Sequence, residues 1–293
     1  NRPMKYLIYT LFSLIIFSCD QEDVWDCIQA SGATVFQELT VAPFERILVN
    51  RDIELIVKQG MEYKVEIQTG ANLVNDIEVV VLDSQLQLTD HNTCNLVRDY
   101  GLTKMIVTTP FLSEIRSSTQ YLTSSDGVLT FENLKLISEN FNSDYISSGD
   151  FNMTVNSQTL SVLANSLSVF EISGFTDSLS VGFYGGVCEF KGANLIAQHV
   201  QIFHRSSHDM IVNPQQSLEG EILDSMGIDV DSISAHSSVA GDDIEMLIAG
   251  YTVWDNYVIA IDLKYTDYNG DRQFEIWTHE VGDWAWEEFK DRT

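Results

Sequence analysis

Three histidines, His199, His204 and His208, fall within ten residues of one another. Imidazoles presented together by neighbouring strands make a zinc site when a further ligand completes the shell. Side chains alternate along an extended chain, which sets His204 and His208 on one face and His199 on the other. Asp209 falls on the wrong face to join them, so surface histidines are expected and no metal ligand is assigned. Asp229 and Asp231 also alternate and share a side. Paired carboxylates serve hydrolases, and clustered acids hold the cation of a lyase that needs a basic residue beside it. No Lys or Arg lies near these two along the chain, and Gly227 before them suggests a turn, so they are read as solvated acids. The stretch "DYNGD", residues 267–271, has its glycine fourth and Thr278 twelfth. A calcium-binding EF-hand loop needs glycine sixth and glutamate twelfth. No nucleophile elbow, phosphate-cradling glycine loop or Cys-x-x-Cys occurs. Hence no catalytic residue and no cofactor is expected.

The elements that would position any site are strands. From Phe44 to Thr109, apolar residues recur at every second position, as in Ile53, Leu55, Val57 and in Ile77, Val79, Val81. Period two at this density means β-structure, and Gly60, Gly70 and "LDSQ" at 82–85 supply turns. After Pro110 the chain resembles itself. Leu134, Leu160, Leu179, Val200 and Leu218 each open an apolar-x-apolar run, at spacings of 26, 19, 21 and 18 residues, followed by a Ser, Asn or Gly turn and a second short run. A unit that short cannot bury its own apolar side chains, but stacking unit on unit makes one core. The fold class expected is all-β, a right-handed parallel β-helix of short stacked coils with a C-terminal β-hairpin extension. A β-sandwich, with turns every eight to twelve residues, is the competing architecture.

The hairpin is read from "YVIAIDLKYTDYNGDRQFEIWTHEV". Asn-Gly between alternating runs favours a two-residue type I′ turn. It would oppose Asp267 to Arg272, Tyr265 to Phe274 and Leu263 to Ile276 on one face, and Lys264 to Glu275 on the other. This end also holds Trp254, Trp277, Trp284 and Trp286, four of the five tryptophans. It is expected to adjoin or cap the stacked body.

At the other end, Arg2 and Lys5 precede an apolar run from Tyr6 to Phe17, too short to span a bilayer, and then Ser18 and Cys19. The run Ile16-Phe17-Ser18-Cys19 resembles the lipobox of bacterial lipoproteins, which implies that Cys19 is acylated and becomes the mature N-terminus. Asp20, Glu22 and Asp23 follow as an acidic tether. The whole chain carries 16 Lys and Arg against 43 acids, and loss of the leader, with two cations and no acid, takes the net charge from −27 to −29. Such a field repels phosphate, so nucleic acid is excluded as a partner, and adsorption to anionic lipid is disfavoured. An exported chain meets oxidising conditions. Cys27 and Cys94 stand in polar surroundings unsuited to a buried thiol and are expected to form a disulfide, whereas Cys188, among alternating apolar residues, suits a small buried hydrophobe.

The lipobox, "FERILVNRDIELIVKQG", "YKVEIQTGANLVNDIEVVV", "LQLTD", "TCNLVRDYG" and "KMIVTTPFLSEI" together resemble the head GIN domain family of autotransporter-adhesin-like proteins over residues 19 to about 224. The resemblance implies a right-handed parallel β-helix in a secreted lipoprotein of Gram-negative bacteria, held at the outer membrane and displayed at the cell surface. Asp177-Ser178-Leu179, Asp224-Ser225-Met226 and Asp231-Ser232-Ile233 resemble an O-glycosylation acceptor triplet of such bacteria. The organisation expected is a signal peptide at 1–18, an acidic tether and leader at 19–43, a β-helix domain at 44–235 and a divergent extension at 236–293. A non-catalytic module is expected to bind a glycan or protein through a long coil face, with Tyr121, Phe141, Tyr145 and Tyr184 as aromatic platforms. A polysaccharide lyase or hydrolase of the same shape is the alternative, and would need an acid and a base converging in one groove.

Overall fold

The computed structural model describes residues 29–92, 101, 103–142 and 144–221 in full, with the backbone of 222–223 and of five strands between Asp229 and Gly282. The strands are β1 (Thr34–Thr40), β2 (Arg46–Arg51), β3 (Ile53–Gln59), β4 (Lys64–Gly70), β5 (Ile77–Leu82), β6 (Gln85–Asp90) and β7 (Thr103–Thr109). After Pro110 come β8 (Glu114–Thr119), β9 (Thr123–Leu129), β10 (Asn133–Ser138), β11 (Phe151–Ala164), β12 (Val169–Phe183), β13 (Glu189–His204) and β14 (Met210–Leu223). The C-terminal set is β15 (Asp229–Ser237), β16 (Ile244–Ala249), β17 (Val253–Trp254), β18 (Tyr257–Tyr268) and β19 (Asp271–Gly282). All nineteen join one hydrogen-bonded sheet, and among the described residues helix is limited to the 3-10 turn Val74–Asp76. The protein is all-β, a curled open sheet. Among the described residues no helix is long and apolar enough to cross a membrane.

The leucine-led repeat has a direct structural counterpart. Strands β8, β10, β11, β12, β13 and β14 pair in parallel, in that order. Leu134 lies beside Leu160, Leu160 beside Leu179, Leu179 beside Val200 and Val200 beside Leu218. All five are buried. A second inward column, Phe151, Phe170, Phe190 and Met210, is equally in register and buried. Within it the rings of Phe151 and Phe170 stack at 4.7 Å. Each side chain in these columns contributes ~1.5–3 kcal/mol by leaving water. The neighbours are parallel throughout, which sets the arrangement apart from the antiparallel pairing of a sandwich.

Strand β11 bends between two surfaces. Its first half pairs with β9 and its second half with β10, so β11 to β14 each turn a corner and enclose the apolar columns. Just before the corner the register between β12 and β13 shifts by a bulge, between Glu171 and Gly174. Gly174 has φ +110, and a Cβ there would sit 2.0 Å from the carbonyl oxygen of Val155.

The N-terminal half departs from the uniform stack expected of it. Parallel pairs (β2 with β6 and β8, β3 with β7 and β9) alternate with antiparallel ones (β1 with β4, β4 with β7, β5 with β6). The cause is local. Asp83 and Ser84 have φ of 48° and 58°, the left-handed pair of a type I′ turn, so the chain folds straight back from β5 into β6 instead of crossing over. Strand β1 also lies inside the segment read as a leader.

At the far end the stack changes direction. Strand β14 pairs antiparallel with β15 along Ser217–Leu223 and with β19 along Met210–Val212. The turn expected around Asp229 and Asp231 is instead part of β15, because the alternating run there finds the open edge of β14. Strands β18 and β19 pair from Tyr257 opposite Gly282 to Tyr268 opposite Asp271, with Asp267 opposite Arg272, Tyr265 opposite Phe274, Leu263 opposite Ile276 and Lys264 opposite Glu275. That is the register the Asn-Gly dipeptide predicts. Asn269 and Gly270 themselves lie outside the described residues.

Candidate binding edge

Parallel strands in register bring their C-terminal ends to one edge. Ser138, Ala164, Phe183 and His204 form the last inward column there, all buried, and the residues after them begin the turns. One position earlier the side chains point outward, where Leu163, Gly182 and Phe203 lie side by side. The absence of a side chain at Gly182 makes room for the ring of Tyr184, whose Cε2 would lie 2.9 Å from a Cβ at that position. The Tyr184 ring therefore folds onto the next strand and stacks on Phe203, with centroids 4.7 Å apart. Phe141 meets it edge-on at 5.9 Å. Phe141 is 65% exposed and Tyr184 41%. An aromatic row thus joins Phe141 on the turn after β10 and Tyr184 on the turn after β12 to the half-buried Phe203 of β13, in the offset and edge-to-face contacts that aromatic rings favour.

The loop that carries Phe141 is braced from below. Glu139 accepts the Phe141 backbone N–H at Oε2, 2.7 Å away, and its other oxygen pairs with Arg116. The Arg116 guanidinium lies over the Tyr145 ring at 4.8 Å. Both members of this pair are largely buried, where charge-assisted hydrogen bonds are strong and loss of one partner is costly. Of the four expected platforms, Phe141 and Tyr184 come together on this edge, Tyr145 serves beneath Arg116, and Tyr121 stands apart, half-buried. Phe203 is a member of the row that sequence reasoning misses. Its signal is its place in register with Gly182, which single-strand alternation does not reveal.

The histidines are not brought together. His204 is buried against Phe183, 6.2 Å between rings, which corrects its reading as a surface residue. Burial pushes its imidazole down to about 4, while a hydrogen bond with the His208 backbone acts the other way. His208 is exposed in the following turn, and His199 is exposed with Nδ1 2.9 Å from the Ser217 hydroxyl. Among the described residues no group of three metal-ligating side chains occurs. Cys188 is fully buried as expected, receives the Ser166 N–H at 3.1 Å, and has its thiol pushed up to about 11 by burial, which makes it unreactive. Cys19, Cys27 and Cys94 lie outside the described residues, as do the side chains of Asp229 and Asp231.

The family described as "Putative auto-transporter adhesin, head GIN domain" matches residues 43–231. The chain belongs to this family. The crystal structure of a "putative adhesin" from Bacteroides fragilis resembles it with a TM-score of 0.60 at 18% identity, over 67% of this chain and 88% of that one. A "putative adhesin" from Parabacteroides merdae gives 0.47 at 15% identity, over 66% of this chain and 86% of that one. A "Putative lipid binding protein" from Parabacteroides distasonis gives 0.47 at 16%, over 66% and 89%. Comparison with curated proteins finds no match. The likeness to the first of these structures is one of fold. The aromatic row at 141–203 lies inside the head GIN region.

Proposed function

We propose that this head GIN protein is a non-catalytic binding module of the adhesin type, displayed at the cell surface, which engages an extended polymer or partner protein along its strand-end edge. The observation that carries the reading is the row Phe141, Tyr184, Phe203, in which Phe141 and Tyr184 are exposed on the turns after β10 and β12 and Phe203 is half-buried beneath Tyr184. Rings held apart from the core by their own contacts provide flat apolar area at little entropic loss, and exposed apolar patches of this kind mark interaction sites. The family description supports adhesion, and the parallel ladder from β8 to β14 supports a β-helix as the body.

The rest of the organisation follows from the same reading. Residues 1–18 are a lipoprotein signal peptide, Cys19 carries the acyl anchor at the outer membrane, and the tether runs to about 33, since Thr34–Thr40 is paired as β1. The body extends to about 235 and the extension from 236 to 293. A lipid anchor on a short acidic tether leaves the strand-end edge free to project.

Retention of residues 20–293 on host and bacterial glycans and matrix proteins tests the function, with product analysis of any polysaccharide retained. The expected result is retention without cleavage, weakened about tenfold or more by Phe141→Ala with Tyr184→Ala, an effect of ~1.4 kcal/mol. New reducing ends or unsaturated sugars, abolished by one acidic substitution, would replace this reading with an enzyme. Labelling with a clickable fatty acid tests the anchor: label on the wild type and none on Cys19→Ala is expected, and label on Cys19→Ala refutes it.

A further inference from the structure

A polar cleft of about 470 Å3 opens on the same strand-end edge, at the corner between β2 and β3. That size lies within the ~300–1,000 Å3 of small-ligand sites. It is lined by Asn50, Arg51, Asp52, Gln120, Asp144 and Ile146, with the hydroxyls of Thr89 and Ser118 at its base. The family description assigns no role to any of these residues.

We propose that this cleft binds one neutral sugar residue of the polymer that the strand-end edge engages, a claim that rests on the reading above. The first support is backbone geometry. Arg51 has φ +58, in the left-handed region, at a corner where glycine or asparagine would sit with less strain. A long cationic side chain held there against its backbone preference is of the kind that clusters at ligand sites.

The second support is hydrogen-bonding capacity. Gln120 donates to Asp52 at 2.6 Å and Asn50 donates to Thr89 at 3.2 Å, so both amides are oriented. Each retains its carbonyl oxygen and a second N–H, beside the five donors of Arg51 and the acceptors of Asp144. Ser118 is already committed, accepting the Ile146 backbone N–H at 2.9 Å and fixing the wall of the cleft. A sugar hydroxyl donates and accepts at once, and neighbouring hydroxyls match an array that mixes both functions. Ile146, 41% exposed, offers apolar surface to the C–H face of a ring.

Charge selects among sugars. Two carboxylates outnumber one guanidinium in the cleft, within a chain of net charge −27. An acidic sugar meets repulsion on approach, and a neutral one does not.

Position links cleft and aromatic row. The pairings β2–β8, β8–β10, β10–β11 and β11–β12 carry the edge from Asn50 to Tyr184 in four steps. At ~4.8 Å per strand Asn50 and Tyr184 stand ~19 Å apart along the sheet, and Phe141 lies on the loop that also supplies Asp144 and Ile146 to the cleft. A linear polymer placed in the cleft at one residue reaches the rings with another.

Calorimetric titration of the mature protein with neutral gluco-, galacto- and N-acetylglucosamine oligosaccharides, against oligoglucuronate, tests the inference. At least one neutral series is expected to bind, with affinity reduced tenfold or more by Arg51→Gly and by Gln120→Ala. Glycine suits φ +58, so Arg51→Gly is also expected to hold or raise Tm, which separates lost binding from lost folding. Tighter binding of oligoglucuronate, or no neutral series bound at millimolar concentration, overturns the proposal. If Phe141→Ala with Tyr184→Ala weakens binding and the two cleft variants do not, the cleft inference fails and the aromatic edge stands. If neither set weakens it, both fail.

Discussion

Replacing His204 with phenylalanine is expected to make the protein less sensitive to acid. The imidazole is 1% exposed, its Nδ1 has no hydrogen-bond partner, and burial holds it down to about 4. In the unfolded chain it titrates near ~6.5. Between those values the unfolded state takes up a proton that the folded state refuses. Stability from this residue is therefore intact above pH ~6.5 and falls as pH drops toward ~4. The loss is about 2 kcal/mol by pH 5 and about 3 kcal/mol by pH 4. Phenylalanine has a similar shape, continues the column from Phe183 and cannot charge. Every other titratable group is common to both proteins, so the difference between wild type and variant isolates His204. Urea unfolding midpoints at pH 7.5, 6 and 5 should show the variant gaining on the wild type as pH falls. Curves that stay parallel within about 0.5 kcal/mol would refute the reasoning, the scatter expected between independent sites. So would a His204 Cε1–H resonance titrating at or above 6.

Leu160→Ala, in the middle of the inward column, should lower unfolding stability by ~3–5 kcal/mol, and Leu163→Ala, half-buried and outward, by ~1 kcal/mol, both read from chemical denaturation. Gly174→Ala drives a Cβ into the Val155 carbonyl and is expected to destabilise by about 3 kcal/mol or more, whereas Gly127→Ala, at φ +86 with open space around it, should lose about 1 kcal/mol; equal effects would contradict the bulge geometry. Peptide mapping without reduction should recover Cys27 linked to Cys94, a bridge worth ~3–5 kcal/mol in the chain-entropy account. Free thiols at both positions in normally exported protein would disprove that pairing.

The inward leucine column is legible in the sequence because each unit repeats the same demand in the run that opens it: an apolar residue at the same depth as the one beside it. Phe151, Phe170, Phe190 and Met210 meet the same demand, but the residues around them share no motif, so only the pairing reveals them. The burial of His204 is also encoded in the alternation. Val200 and Ile202 are buried and share its parity, so the pattern that separates it from His199 also points it inward. The surface reading fails because it rests on chemical habit, the expectation that an imidazole prefers water. The mixed N-terminal half is hidden for another reason. Parallel and antiparallel strands share period two, and only the left-handed Asp83-Ser84 pair decides that the chain turns back. The cleft has no signature along the chain. Asn50, Thr89, Gln120 and Asp144 come from four separate segments and meet only because strand ends converge.

Two kinds of edge must be kept apart in this architecture. The side of a stacked sheet presents unpaired N–H and C=O groups, which invite another strand and so aggregation. Here β15 and β19 run antiparallel along β14 and occupy that side over Ser217–Leu223 and Met210–Val212, so the C-terminal segment acts as a cover for the stack. The strand ends are different, because their backbone groups are already used within the ladder and the turns, as in Tyr184 N–H to Ala164 and Arg205 N–H to Phe183. What the strand ends offer a partner is side chains, and these are the aromatic row and the polar cleft. Sealing one edge and binding at the other are therefore compatible demands. A variant that loosens the cover should promote self-association without weakening ligand retention, and one that strips the strand-end rings should do the reverse.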